Sequence, residues 1–145
     1  MRALIQRVAS GSVSVDGNAI AAIEKGLVIL VGIGHSDEPC QVQTMAEKIA
    51  NLRIFEDVNG KMNLSILDAG GSALVISQFT LYADTRKGRR PAFTDAAAPE
   101  VASQLVDEFI KALSRMGVPI HSGIFGAHMI VQIANDGPVT IMLEN

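Results

Sequence analysis

The sequence predicts an α+β protein, and three observations support this class. Apolar runs of strand length follow one another in groups, only two stretches have helical periodicity, and the two kinds of segment do not alternate as in βαβ proteins. The 145 residues are enough to bury a hydrophobic core without disulfides or metal ions. We therefore expect one domain over residues 1–145.

The beginning of the chain predicts three strands. Val13 and Val15 alternate with serines, and a turn around Asp16–Asn18 leads into a return strand over Ala19–Ile23. Leu27–Val31 is apolar at every position, which is typical of a strand covered on both faces.

Two amphipathic helices are predicted. The first begins among the capping residues and proline of Ser36–Pro39 and ends near Leu52. The second begins at Ala98-Pro99-Glu100 and ends at Gly117. Their apolar residues recur every three or four positions: Val42, Met45, Ala46, Ile49 and Ala50 in the first, and Val101, Leu105, Phe109, Leu113 and Met116 in the second.

The remaining apolar segments predict further strands, separated by turn residues and by a polar loop over Tyr82–Pro91. They are a short extended piece at Arg53–Glu56, then Met62–Leu67, a central strand over Ala73–Phe79, Val118–Ser122, His128–Ala134 and Val139–Leu143.

Composition indicates a cytoplasmic protein that forms homo-oligomers. Hydrophobic residues make up 48% of the chain and charged residues only 19%, which is little polar surface for a small monomer. The single cysteine, Cys40, excludes an internal disulfide and fits a reducing compartment. Polar residues interrupt the first apolar run too early for a signal peptide, and Leu27–Ile33 is too short to span a membrane. No membrane partner is expected.

The charge distribution limits the possible nucleic-acid contacts to one loop. The net charge of −3 does not attract nucleic acid to the molecule as a whole, and no DNA partner is expected. Arg86, Lys87, Arg89 and Arg90 reverse the sign locally. Such a run is either a solvated loop or a set of phosphate contacts, and the sequence leaves both interpretations open.

Neither a metal nor a cofactor is predicted. His35, Cys40, His121 and His128 do not have the spacing of a metal site, and no carboxylate cluster accompanies them. Gly32-Ile33-Gly34 lacks the rest of a dinucleotide-binding motif.

The central strand ends in the polar stretch Ser77-Gln78-Phe79-Thr80-Leu81, a common position for a site. Thr80 is open to three interpretations. In the first, the Thr80 hydroxyl is a nucleophile, although no base lies beside it in the sequence. In the second, Thr80 has no chemical role and is simply a suitable residue for a strand end. In the third, the backbone N–H groups of Phe79 and Thr80 stabilise an oxyanion.

A second polar stretch, Asn135-Asp136-Gly137-Pro138-Val139-Thr140, lies between apolar segments near the end of the sequence. Together with Ser77–Leu81, it resembles the pair of signature motifs of the D-aminoacyl-tRNA deacylases. The resemblance extends along the chain from Met1 and includes Gln6-Arg7-Val8 and Val15-Asp16-Gly17.

The resemblance implies a fold, an activity and a partner. The implied fold has two facing, mostly antiparallel sheets in a barrel-like arrangement with two outer helices. The implied activity is hydrolysis of the ester of D-aminoacyl-tRNA, and of glycine mischarged on tRNA(Ala), by a homodimer that binds the acceptor end. A cis Gly137–Pro138 dipeptide reaches into the partner's site and rejects L-aminoacyl groups, while backbone donors and the 2'-hydroxyl of the tRNA assist the chemistry.

The resemblance also assigns residues to this site. Gln78, Phe79 and Thr80 are implied as catalytic positions, and Ser77, Gly137 and Pro138 contact the substrate. The terminal adenosine is implied to bind at Phe125, Gly126, Ala127 and Met129, although the residues alone favour core packing for that segment. His128 is expected to face away from this pocket.

Arg7 has two interpretations. A charged residue among Leu4, Ile5 and Val8 indicates an exposed or edge position. The resemblance implies instead that Arg7 holds the Gly-Pro segment. Two rival functions also remain: an RNA-binding module without catalysis, and an esterase with Thr80 as its nucleophile.

Overall fold

The structure, a computed structural model, describes all residues from Met1 to Asn145. Its central element is strand β1 (Arg2–Val15), which pairs along both of its edges. On one edge it is antiparallel to β2 (Asn18–Ile23) and then to β3 (Gly26–Gly32). The predicted hairpin turn is confirmed, because Asp16 and Gly17 both have positive φ, as a two-residue hairpin turn requires.

After β3 the sheet continues with parallel strands. Here β6 (Ser72–Ser77) pairs with β3, and β7 (Ile120–Ser122) pairs with β6. Strand β3 is buried at nearly every position, as its uniformly apolar sequence predicts. A second, two-stranded sheet contains β4 (Phe55–Glu56) and β5 (Met62–Leu64). The mostly antiparallel strands form a nearly closed, barrel-like arrangement, which confirms the predicted fold class.

The two long helices, α1 (Pro39–Ala50) and α3 (Pro99–Arg115), pack beside each other on the outside. The buried side chains of α1 are the five that its periodicity predicts. In α3 three of the predicted positions are buried, while Val101 is exposed in the first turn and Met116 is partly buried. The first helix begins at Pro39, within the predicted start over Ser36–Pro39, and Glu38 and Gln41 form its capping box.

The strand predicted over Met62–Leu67 is wrong in its second half. It ends at Leu64, and helix α2 (Ile66–Ala69) follows. The Ser65 hydroxyl accepts a hydrogen bond from the Asp68 N–H, and the Asp68 carboxylate accepts one from the Ser65 N–H. This reciprocal cap starts a helical turn within an apolar run that otherwise has the pattern of a strand.

The last strand is continuous where two strands were predicted. Strand β8 (Met129–Glu144) runs antiparallel to β1 over its whole length. Thr140 pairs with Gln6 and Asn135 with Val8, so residues 136–139 bulge out of the ladder opposite Arg7. The Gly-Pro motif therefore forms a bulge within the strand rather than a turn between strands.

Apolar side chains are buried on both faces of the sheet. The larger cluster lies between the sheet and the helices and includes Ile5, Ile29, Phe55 and Phe109. The smaller one, on the other face, contains Val8, Val13, Ile23, Val28, Leu74 and Ile76. None of the helices has the length and hydropathy needed to cross a lipid bilayer.

Candidate active site

The central strand β6 ends at Ser77, two residues earlier than predicted, and a 3-10 turn over Phe79–Tyr82 follows. The Gln78 N–H donates to the Val31 carbonyl at 2.7 Å, which anchors the start of this turn to β3. The N–H groups of Phe79 and Thr80 are the first two of the turn and have no acceptor within it. Two backbone donors are therefore available at the end of a buried strand.

Glycines at the end of β3 make room for this turn. A Cβ at Gly32 would lie 3.0 Å from the Gln78 carbonyl oxygen, and one at Gly34 would lie 2.7 Å from the Tyr82 hydroxyl. Gly32-Ile33-Gly34, which was unassigned in the sequence, thus permits the close approach of the turn.

Charged residues fix the far end of the turn. Arg2 donates from Nη1 to the Leu81 carbonyl at 2.7 Å, and its guanidinium lies 4.5 Å from the centre of the Tyr82 ring. The Tyr82 hydroxyl lies 3.4 Å from a carboxylate oxygen of Asp37. Burial and, secondly, the Asp37 charge raise the pKa of Tyr82 to about 12, so the phenol stays protonated at neutral pH.

A cavity of about 570 Å³ opens beside the turn. Seven of the predicted site residues line it: Ser77, Gln78, Phe79, Phe125, Gly126, Ala127 and Met129. The remainder of its wall is mostly apolar, as expected for a small-molecule site. The structure thus brings together two segments that are far apart in the sequence.

Part of the cavity wall was missed in the sequence. Phe93 packs edge-on against Phe79, with ring centres 4.9 Å apart. Other apolar residues of this wall come from the loop before α3 and from its first turns: Ala96, Ala97, Pro99, Ala102 and Val106. They carried no local signal, because small and apolar residues before a helix have the same pattern in an ordinary core.

The Thr80 hydroxyl has one hydrogen-bond partner, the Gln78 side-chain amide, which donates to it. Its hydrogen bonds include no histidine, carboxylate or lysine. An amide N–H does not remove a proton, so a base for a Thr80 nucleophile is absent from this geometry.

His128 is exposed, whereas Ala127 and Met129 are half-buried, but β8 begins only at Met129, so Ala127 and His128 are not part of the strand. His128 contributes to the cavity wall, so the expectation that it faces away from the pocket is wrong.

The Gly137–Pro138 bond is cis, and both residues are exposed. Neither lines the cavity of its own chain.

Arg7 is buried, with 5% of its surface exposed, so an exposed or edge position is wrong. Its Nη1 donates to the Ile54 carbonyl at 2.7 Å, and its Nη2 lies 3.7 Å from Glu56. Nε lies 3.1 Å from an Asp136 carboxylate oxygen, but its N–H does not point at that oxygen, so the contact is electrostatic. A Cβ at Gly137 would lie 3.1 Å from Nη2, so Arg7 packs directly beneath the Gly-Pro bulge.

Asn135, which the sequence did not single out by itself, closes the base of this bulge. Its side-chain amide donates to the carbonyls of Arg7 at 2.9 Å and Val139 at 3.1 Å, and it accepts from the Thr140 hydroxyl at 3.1 Å. The position of Asn135 within the motif was the available signal for this role.

The basic residues lie in an exposed hairpin. Arg86 forms a two-point contact with Asp84, at 2.9 Å and 2.8 Å. The hydrogen bonds from Arg86 hold the pKa of Asp84 down at about 2. Lys87, Arg89 and Arg90 are exposed and form no ion pair within the chain.

A larger cavity of about 720 Å³ lies between α1 and α3 and is lined by residues such as Gln43, Glu108 and Lys111. It contains none of the predicted site residues and is remote from both motifs. The smaller cavity has Phe79, one of the two free backbone donors, and the aromatic side chains in its wall, and it is the candidate active site. Thr80 follows Phe79 in the turn but is exposed and does not line the cavity.

Comparison with known proteins identifies the family of this chain. Residues 4–144 match the profile of the family described as D-Tyr-tRNA(Tyr) deacylase. A D-aminoacyl-tRNA deacylase from Thermomicrobium roseum is 57% identical over 145 residues, covering 100% of this chain and 94% of the relative.

Two solved structures are also similar. A protein described as c-Myc DNA Unwinding Element Binding Protein superposes with a TM-score of 0.95 at 42% identity, covering 100% of this chain and 99% of that one. A probable eukaryotic D-amino acid tRNA deacylase superposes with a TM-score of 0.86 at 17% identity, covering 98% and 97%, and so shares the fold.

The match over nearly the whole chain, the identity to a curated relative and the shared fold agree with one another. The chain therefore belongs to the D-Tyr-tRNA(Tyr) deacylase family, a family of hydrolases.

Proposed function

We propose that this protein hydrolyses the ester of D-aminoacyl-tRNA, releasing the free D-amino acid and the tRNA. Glycyl-tRNA, including glycine mischarged on tRNA(Ala), is a second substrate, because glycine has no Cβ for a chirality filter to reject. Family membership supports the reaction class. We expect the protein to act in the cytoplasm, where tRNA is charged.

The observation that carries the mechanism is the pair of free N–H groups at Phe79 and Thr80 beside the cavity. Water adds to the ester carbonyl, and the two N–H groups stabilise the negative charge that develops on the carbonyl oxygen. The bond to the ribose oxygen then breaks. The 2'-hydroxyl of the terminal ribose relays the proton from water to that leaving oxygen. Gln78 orients the substrate, and no covalent intermediate forms on Thr80.

The terminal adenosine occupies the part of the cavity lined by Phe125, Gly126, Ala127 and Met129. This wall combines an aromatic ring with small residues, which suits a flat base. Met129 packs over Gly123, where an added Cβ would lie 2.5 Å from the Met129 sulfur, so the depth of this part depends on Gly123.

The chirality filter works across a homodimer. Gly137 and Pro138 are exposed and do not line their own cavity, so they act as a filter only in the cavity of a second protomer. Arg7 and Asn135 hold the bulge from below. Exposed apolar side chains on β8, Ile130 and Met142, supply surface for such a contact.

The rival function is a nucleic-acid-binding module without catalysis. The solved structure named for a DNA unwinding element belongs to a relative, and the exposed basic hairpin is the feature of this chain that favours such a role. With a net charge of −3, we still expect no DNA partner for this protein. A binding module leaves the ester intact, and that difference separates the two functions.

The decisive test is single-turnover release of amino acid from D-tyrosyl-, L-tyrosyl- and glycyl-tRNA, with purified protein and no added metal or nucleotide. Rapid release from the D and glycyl esters, with the L ester spared, is the expected result. Binding of all three without release would establish the rival function.

A mixed dimer tests the filter separately. One protomer carries Gln78→Ala in its cavity, and the other carries Pro138→Ala in its bulge. The mixed dimer has one cavity that is unaltered and faces an unaltered bulge, so we expect about half of the normal D-ester rate with L discrimination intact. A filter that acts within one protomer instead leaves no site with both parts unaltered, and discrimination is lost.

A further inference from the structure

The basic hairpin rises directly from the rim of the candidate active site. Asp84 and Ala92 pair through two backbone hydrogen bonds, of 2.8 Å and 2.9 Å, and close a loop over residues 85–91, the basic tip. The 3-10 turn with Phe79 precedes this pair, and Phe93 follows it. Because Phe79 and Phe93 both line the cavity, both ends of the hairpin are cavity wall.

The four cations of this hairpin are not equivalent. Arg86 donates from its guanidinium and its backbone N–H to the Asp84 carboxylate, so its charge is matched and its side chain fastens the loop to the base of the hairpin. Lys87, Arg89 and Arg90 are exposed and unpaired. The basic tip therefore carries three free positive charges in a chain whose net charge is −3.

A single-stranded nucleic acid is the ligand that suits both features. Proteins bind such strands by pairing a positive groove for the phosphates with aromatic side chains for the bases. Phe79 is 58% exposed and packs against Phe93 at the foot of the hairpin. Four residues of extended chain span about 13 Å, so the basic tip is within reach of the phosphates on the 5' side of a terminal nucleoside bound in the cavity.

We propose that Lys87, Arg89 and Arg90 bind the phosphates of the single-stranded 3' end of tRNA, and that Arg86 positions the loop instead of contacting RNA. This inference rests on the proposed function for the identity of the RNA. It divides a run of four cations, which the sequence presents as equivalent, into three contacts and one structural residue.

The test is the salt dependence of binding to deacylated tRNA, which requires no catalysis. Each phosphate contact to a single strand contributes about 0.7 to the slope of log affinity against log salt, so replacing the three cations with glutamine should reduce the slope by about 2. Lys48, Lys111 and Arg115 are exposed on the outer helices, and none of them lines the candidate active site. Their glutamine variants remove the same charge and should leave most of the slope unchanged.

A charge-neutral variant tests the assignment of Arg86. Asp84→Asn combined with Arg86→Gln removes the fastening pair without changing the net charge. We expect weaker binding, by about twofold to tenfold, with an unchanged salt slope. A slope reduced as much as in the tip variant would overturn the division of roles.

The outcome for the basic tip is separable from that for the enzyme. A tip variant with an unchanged slope overturns this inference even if the unaltered protein hydrolyses D-tyrosyl-tRNA. A reduced slope in a protein that releases no amino acid supports the tip as an RNA surface and rejects the proposed function. Equal losses of slope in the tip and helix variants indicate a general charge effect and also overturn the inference.

Discussion

Replacing Gly137 with alanine tests how strictly the bulge geometry controls the reaction. Gly137 has a φ of +117°, a conformation that residues with a side chain rarely adopt. The added Cβ would lie 2.9 Å from a Val139 methyl and 3.1 Å from Arg7 Nη2, and both neighbours are buried. The backbone strain and the tight packing together predict a loss of about 3 kcal/mol in the free energy of unfolding.

Gly60→Ala is the matched control. Gly60 also has a positive φ, +73°, but an added Cβ would meet nothing within 4 Å. The left-handed conformation alone costs about 1–2 kcal/mol, and no residue of this turn lines the cavity. The control therefore separates a general glycine effect from the crowding at Gly137.

The assay combines urea unfolding with single-turnover release from D- and L-tyrosyl-tRNA. We expect Gly137→Ala to lose more stability than Gly60→Ala, to slow D-ester release by at least about tenfold, and to narrow the ratio of D to L rates. Gly60→Ala should keep both the rate and the ratio. Equal stability losses, with unchanged D and L rates in both variants, would refute the reasoning from the bulge.

Three further outcomes follow from the side-chain contacts. Thr80→Ala should keep the D-ester rate within about tenfold in single-turnover assays, since the proposed donors are backbone groups, and a complete loss would favour a Thr80 nucleophile. Arg7→Met should lower the free energy of unfolding in urea by about 2 kcal/mol, because it removes the charged donor to the Ile54 carbonyl at 2.7 Å. Glu56 and Asp136 are more than half exposed and stay hydrated, so their contacts with Arg7 add little to the free energy of unfolding. A loss of stability near zero in Arg7→Met would show that Arg7 does not hold this region. Tyr82, the only tyrosine, should titrate in the near-ultraviolet with a pKa of about 12, above the ordinary value of 10. Asp37→Asn should lower the pKa of Tyr82 without restoring the ordinary value, because burial is the larger cause of the shift. Because the pKa of Tyr82 is raised in the folded state, the stabilising effect of the protonated phenol is complete below pH 10 and is lost between pH 10 and 12. A Tyr82 titration midpoint near pH 10 would contradict the burial of this side chain.

Local sequence patterns were sufficient for most elements but failed where a second signal, local or distant, competes with the apolar pattern. Strand β3 and the two long helices have patterns that tertiary contacts reinforce. Helix α2 was missed because the apolar run around it predicts a strand, while a single cap between Ser65 and Asp68 decides the outcome. The break predicted in β8 failed because pairing with β1 resumes on both sides of residues 136–139.

The candidate site was predictable in part for the same reason. Ser77–Phe79 and Phe125–Met129 stand out as polar or unusual segments at strand ends, and they do converge on one cavity. The wall from Phe93 to Val106 has no such signal, because its role depends on where α3 docks. The burial of Arg7 likewise depends on Ile54 and Glu56, about fifty residues away in the sequence.

The pairing of β1 with β8 bears on how the protein forms during synthesis. Strand β1 leaves the ribosome before the strands with which it pairs, and one entire edge stays unpaired until β8, the last of these strands, is complete. Pairs such as Arg2 with Glu144 have very large sequence separation, which slows folding and leaves an open strand edge available to other chains in the meantime. A nascent chain of this protein is therefore expected to be more vulnerable to aggregation and to depend more on chaperones than its small size suggests.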